Sequence, residues 1–111
     1  MAYDEELAER IRECLDPAPD FVEKKMFGGL AFLIGGNMAV AVTGEDGLMV
    51  RVERAEFDAL LDAPTATPMM MGAREMTGWI LVTTAALDDA AVLREWVGRG
   101  VSYARTLPRK R

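Results

Sequence analysis

Lys25-Met26-Phe27-Gly28-Gly29-Leu30-Ala31-Phe32-Leu33-Ile34-Gly35-Gly36-Asn37-Met38-Ala39-Val40-Ala41-Val42 is the stretch that decides the fold class. Two short apolar runs stand on either side of Gly35-Gly36-Asn37. Glycine and asparagine tolerate the positive φ of tight turns, so this pattern predicts an antiparallel hairpin. Lys24 to Ile34 is expected as a strand interrupted at Gly28-Gly29, with Met38 to Thr43 as its partner. Gly44-Glu45-Asp46-Gly47 repeats the turn chemistry. Leu48 to Val52 is apolar again, and a third strand completes a meander.

Working outward, Leu7, Ala8, Ile11, Cys14 and Leu15 recur at helical spacing and predict a helix from about Tyr3 to Leu15. Asp16-Pro17-Ala18-Pro19 ends it, because proline cannot continue a helix and constrains the residue before it. On the other side, Glu53 to Leu61 predicts a short helix with Phe57, Leu60 and Leu61 facing inward, stopped by Asp62-Ala63-Pro64. Met69 to Glu75 and Gly78 to Thr84 read as two more strands, turning at Met76-Thr77. A last helix is expected to start near Asp88, capped by Thr84 or Asp88. It presents Leu93, Trp96, Val97, Gly100, Ala104 and Leu107 on one face and ends at Pro108. Gly98 and Gly100 each weaken it by about 1 kcal/mol relative to alanine; they fit a close backbone approach or a kink. The order is α-β-β-β-α-β-β-α. It predicts a two-layer α+β fold in which helices cover one face of an antiparallel sheet of about five strands.

The chain of 111 residues suits one domain, expected over residues 1–111. Half of it is apolar, which argues against disorder. The net charge of −5 argues against general nucleic-acid binding, since phosphate contacts need surplus lysine and arginine. The charges are polarised. Asp4, Glu5, Glu6, Glu9, Glu13, Asp16, Asp20 and Glu23 outweigh Arg10 and Arg12 at the start. Arg94, Arg99, Arg105, Arg109, Lys110 and Arg111 face only Glu95 at the end. This matches helix-dipole chemistry. The alternative is a basic tail, Arg105 with Arg109, Lys110 and Arg111, that docks on an acidic partner or nucleic acid. The start of the chain has no basic region followed by an apolar run, and no segment has the length of a membrane span. With a single cysteine, Cys14, no intrachain disulfide forms, so a cytoplasmic protein without membrane contact is expected.

Familiar site chemistry is missing from the sequence. Histidine, the commonest general base and metal ligand, does not occur. There is no cysteine cluster for zinc, no phosphate loop and no dinucleotide fingerprint. No catalytic, cofactor or metal-binding residue is assigned, and the chain is not expected to be an enzyme. Cys14 lies on the apolar stripe of the first helix and reads as a small buried hydrophobe. Eight methionines include the run Met69-Met70-Met71. In a strand Met70 points away from its two neighbours, which makes both faces apolar. One face meets the helices. The other needs a cover, and a partner chain is one candidate.

Met26-Phe27-Gly28-Gly29, the apolar strand after it, the hairpin at Gly35-Gly36-Asn37 and a second strand beginning at Met38 closely resemble the start of the TfoX/Sxy N-terminal domain. Met76-Thr77-Gly78-Trp79-Ile80-Leu81-Val82 and the ending from Trp96-Val97 to Tyr103-Ala104-Arg105-Thr106-Leu107-Pro108 are similar to a subgroup of that family. The resemblance implies an α+β fold with an antiparallel sheet and a link to regulation of natural competence in bacteria. Members acting in that way usually carry a further C-terminal domain; the present chain is expected to be a stand-alone version. The family recognises no catalytic residues. Met26, Phe27, Gly28, Gly29 and Gly36 carry the motif and are expected to serve the fold, with Gly28-Gly29 forming a bulge or bend and Met26 and Phe27 packing inside. The functional expectation is a non-enzymatic regulatory or protein-interaction module, with homodimerisation open. The alternatives are a nucleic-acid-associated regulator using the basic tail, and a small-ligand binder or unusual enzyme with a pocket between sheet and helices.

Overall fold

The computed structural model describes residues 5–15, 21–26, 29–43, 47–62, 65–71 and 73–108. Its elements are α1 (Glu5–Leu15), β1 (Phe21–Met26), β2 (Gly29–Ile34), β3 (Asn37–Val42), β4 (Gly47–Arg51), a 3-10 turn (Arg54–Glu56) leading into α2 (Phe57–Leu60), β5 (Ala66–Met71), β6 (Arg74–Thr83), a second 3-10 turn (Thr84–Asp88) and α3 (Ala90–Thr106). All six strands join one antiparallel sheet in the order β1-β2-β3-β4-β6-β5.

The α+β class, the antiparallel sheet and the helical layer agree with the sequence. The sheet has six strands instead of about five. The single interrupted strand expected over Lys24 to Ile34 is two strands, β1 and β2, paired from Phe21↔Ile34 to Met26↔Gly29. The expected strand took in Lys24 to Met26 but not Phe21 to Glu23, and it did not separate β1, whose centre is the charged run Glu23-Lys24-Lys25, as a strand of its own. It suits an edge, where charges discourage pairing with another chain. The turn expected at Met76-Thr77 is also displaced. The chain reverses between Met71 and Arg74, and β6 runs on through both residues. Gly78 is not the start of a strand: at φ 92° it lies in the register shift where Pro68 pairs with Ile80 but Met69 pairs with Met76. Glycine takes that conformation without steric cost.

The hairpin at Gly35-Gly36 forms as expected, with φ 60° and 83°. Asn37 is not part of the turn. It opens β3 opposite Ile34, is only 2 % exposed, and its Nδ2 donates to the Pro108 carbonyl at 2.9 Å. The last helix is capped by Asp89, whose Oδ1 accepts from the Ala91 amide at 2.8 Å, and not by Thr84 or Asp88. Those two residues bound the 3-10 turn that precedes it.

One face of the sheet holds the core. Phe32, Val40, Val42, Leu48, Val50, Ile80 and Val82 are buried there beneath Leu7, Ile11 and Leu15 of α1 and Leu93, Trp96 and Val97 of α3. Gly100 lets α3 touch the sheet: a Cβ at that position would lie 2.4 Å from the Ala39 carbonyl oxygen. Gly98 plays no such part, since a Cβ there would meet nothing within 4 Å. Arg12 on α1 clamps Glu23 on β1 through two hydrogen bonds of 2.6 and 2.8 Å, tying the helical layer to the edge strand.

Candidate interaction surface

The opposite face of the sheet carries its own apolar cluster, built by strand residues alone among those described. Ala31, Ala41 and Met49 are buried, with Leu33, Met38, Met69 and Trp79 packed against them. Strand pairing puts Lys24, Ala31, Ala41, Met49, Leu81 and Thr67 in one row across all six strands. Towards one end of the strands lie small residues, Gly29 on β2 and Gly47 beside Thr83. Towards the other end lie large ones: Val22 beside Leu33, Leu33 beside Met38, and Trp79 beside Arg51. Val22 is 59 % exposed on the edge strand. The small residues do not leave their end open: a Cβ on Gly47 would lie 2.8 Å from Leu81 Cδ1.

Arg51 pairs with Trp79, and its guanidinium carbon lies 5.2 Å from the Trp79 ring centroid and 5.5 Å from that of Tyr103 on α3. Such placements favour a cation over an aromatic face. The arginine thus caps the apolar cluster while reaching round to the helical layer.

The glycines of the family-like motif sit at the two ends of β2. Gly29 faces the β3 backbone so closely that a Cβ would lie 2.1 Å from the Val42 carbonyl oxygen. Gly36 takes positive φ in the hairpin. Met26 pairs with Gly29 at the end of β1. Phe27 and Gly28 lie outside the described residues, and with them the bulge and packing expected there. Of the basic tail, Arg105 is exposed in the last turn of α3; Arg109, Lys110 and Arg111 lie outside the described residues.

Two depressions flank α3. The larger, about 400 Å³, lies between α3 and the segment before β5, lined by Val52, Glu53, Glu56, Leu60, Ser102 and Tyr103 among others. Gly98 forms part of its wall. The smaller, about 140 Å³, lies beside Cys14, Arg10 and Arg94. Burial pushes the Cys14 thiol above its ordinary range, and the charges of Arg94 and Arg10 oppose that only in part. The thiol is thus held protonated, which does not suit a nucleophile. Cys14 packs half-buried against the core, as its place on the stripe predicted. Among the described residues no group of three or more carboxylate or cysteine side chains could hold a metal ion. Among the described residues no helix is long and apolar enough to cross a membrane.

Sequence reasoning caught the second apolar face at Met69-Met70-Met71 but missed its centre. The available signal was the lack of alternation over Leu30 to Ile34 and Met38 to Val42, where both residue parities are apolar. Such runs read as strands covered on both sides.

A family model, TfoX N-terminal domain, matches residues 13–104, most of the chain. No curated protein and no solved structure matches it.

Proposed function

The chain belongs to the TfoX N-terminal domain family, and from that premise we propose that it is a non-enzymatic regulatory module that works by binding another protein through the helix-free face of its sheet. The observation that carries this is the apolar cluster of Ala31, Ala41, Met49, Leu33, Met38, Met69 and Trp79, which no described helix covers. What it offers a partner is its margin, where Val22 is exposed and Leu33, Met38, Met69 and Trp79 are half-buried, and soluble domains seldom leave contiguous apolar surface open unless something binds it. Trp, Met and Arg are also side chains enriched in protein interfaces, and all three occur here. In this proposal the setting is regulation of competence or transcription in a bacterial cytoplasm, a reading that the family match supports only as far as a regulatory or interaction domain. The motif residues Met26, Phe27, Gly28, Gly29 and Gly36 serve the fold in this proposal and contact no partner.

The test compares tagged wild-type protein with Leu33→Glu in affinity capture from the native lysate. The proposal expects a stoichiometric protein partner that the variant loses while keeping its fold. A partner retained by Leu33→Glu would move the binding site elsewhere. Salt-sensitive nucleic acid in the eluate would point instead to the basic segment from Arg105 to Arg111.

The cavity beside α3 favours a second reading, a binder of a small polar ligand. Glu53 and Glu56 line it together with Ser102, Tyr103 and Thr106. A thermal-shift screen with a metabolite panel tests this; a uniformly flat response in which Ser102→Trp also changes nothing would rule it out.

A further inference from the structure

We infer that the helix-free face of the sheet docks an acidic segment of another protein, one that sets apolar side chains against the margin of the apolar cluster and carboxylates against Lys24, Arg51 and Arg74. The inference rests on the proposal that this face binds protein, and it names the chemistry of the partner.

Strand register sorts the charges of the sheet by sign. Successive side chains of a strand point to opposite faces, and directly paired residues share one. Lys24 pairs with Ala31 and Arg51 with Trp79, both in the helix-free cluster or packed on it. Met69 packs on the same cluster and pairs with Met76, which puts Met71 and its partner Arg74 on that side as well. The carboxylates of the described strands fall on the other side. Glu23 pairs with the core residue Phe32, and Glu75 pairs with Met70. In a chain of net charge −5, the described strands thus present only cations on one face. A surface of one sign favours a partner of the other.

These cations are not engaged within the chain. The ion pairs among the described residues belong to Arg12 and Arg99. Lys24 and Arg74 are exposed. Arg51 is half-buried, held 5.2 Å from the Trp79 ring centroid and 5.5 Å from that of Tyr103. Aromatic rings position a guanidinium without cancelling its charge. A guanidinium fixed in this way loses little freedom when a carboxylate takes it in a two-pronged contact.

The cations also bracket the apolar margin. Lys24 stands beside Val22 on the edge strand, Arg51 beside Trp79 within the sheet, and Arg74 along the β5–β6 hairpin past Met69. A protein segment with apolar side chains between its carboxylates matches that layout, an apolar contact with a charged rim. Nucleic acid matches it less well. Surfaces that read single strands stack successive bases on several aromatic side chains, and among the described strand residues of this face the one aromatic ring is Trp79, which already holds Arg51. A long phosphate chain would also meet the net negative charge of the rest of the molecule.

Two-dimensional NMR of the isotope-labelled full chain tests this by titration. The probes are a short peptide alternating glutamate with leucine, the same peptide with lysine in place of glutamate, and an oligothymidylate of equal length. The acidic peptide alone is expected to shift the amide signals of Leu33, Met38 and Arg51 and the Trp79 indole signal, and to bind more weakly as salt rises. Lys24→Glu and Arg74→Glu, at exposed positions, should each weaken it about threefold, and Arg51→Gln about tenfold. Arg94→Glu, exposed on α3, should leave it unchanged. Equal shifts with the lysine peptide overturn the inference and leave the face a protein-binding surface. No shift with either peptide overturns it too, and the Leu33→Glu capture alone then decides whether the face binds protein. Acidic peptide bound as tightly by all three cation variants as by the wild type also overturns it. Larger shifts with oligothymidylate than with the acidic peptide overturn it in favour of nucleic acid. The same signals moving with protein concentration before any probe is added overturn it in favour of a second copy of the chain.

Discussion

Two glycines two residues apart in α3 should respond to alanine with opposite signs. Gly98 faces the cavity, and a Cβ there would meet nothing within 4 Å. Glycine in a helix interior costs about 1 kcal/mol relative to alanine, mostly through the freedom it loses on folding. Gly98→Ala should recover most of that. Divided by the unfolding entropy expected of a domain this size, the gain raises Tm by about 4 °C. Gly100→Ala has the same intrinsic gain, but its Cβ would fall 2.4 Å from the Ala39 carbonyl oxygen, 2.9 Å from Val40 Cγ1 and 3.0 Å from the Ala39 carbonyl carbon. Two of these three atoms are backbone in a central strand and cannot swing away. The helix must lift, which loosens Trp96, Val97 and Ala104 from the sheet, and overpacking of this kind costs about 1–3 kcal/mol before relaxation elsewhere. Set against the intrinsic gain of about 1 kcal/mol, this leaves a net loss of up to about 2 kcal/mol, so the two variants should differ by about 1–3 kcal/mol. Thermal and urea unfolding followed by circular dichroism measure both. Gly100→Ala as stable as the wild type would refute the close approach of α3 to β3. A destabilised Gly98→Ala would show that the open position is occupied.

Asn37→Ala should lose about 1–2 kcal/mol, because it removes a buried donor and leaves the Pro108 carbonyl without it; its urea midpoint checks this, and an unchanged midpoint would mean that the contact at 2.9 Å contributes nothing. The hydrogen bonds from Arg12 hold the Glu23 carboxyl below its ordinary range. A depressed folded-state pKa gives stability that is present above the unfolded value, about 4.3, and is lost as pH falls through the folded one. Glu23→Gln should therefore lose under about 1 kcal/mol at neutral pH, since both side chains remain about a third exposed, and less than that in acid. Unfolding curves at neutral and acid pH measure the gap, and a gap that widens in acid would contradict the sign.

The sequence made the helices and the hairpin legible because each has a local cause. The stripe of Leu7, Ile11 and Leu15 and the stripe of Leu93, Trp96 and Val97 each carry the helical period. Gly35-Gly36 carries the turn. What escaped depends on neighbours distant along the chain. β1 is a strand because β2 offers it an edge, not because Glu23-Lys24-Lys25 favours one. Asn37 looks like turn chemistry until the end of α3 brings Pro108 to it across 71 residues. Gly98 and Gly100 are alike in sequence, and only the crossing of α3 over Ala39 separates them.

The candidate site follows the same logic. Single residues of the sheet face were in view, but a surface is a property of six strands in register. Met49, Leu81 and Thr67 become one row only when β4 pairs with β6 and β6 with β5. Gly47 and Trp79, in different strands, likewise come to lie at opposite ends of one face. Glycine at its end has a reason within the fold, since a Cβ on Gly47 would sit 2.8 Å from Leu81 Cδ1. The side chain of Leu81 therefore takes the space that Gly47 leaves, and only the pairing of β4 with β6 brings the two together.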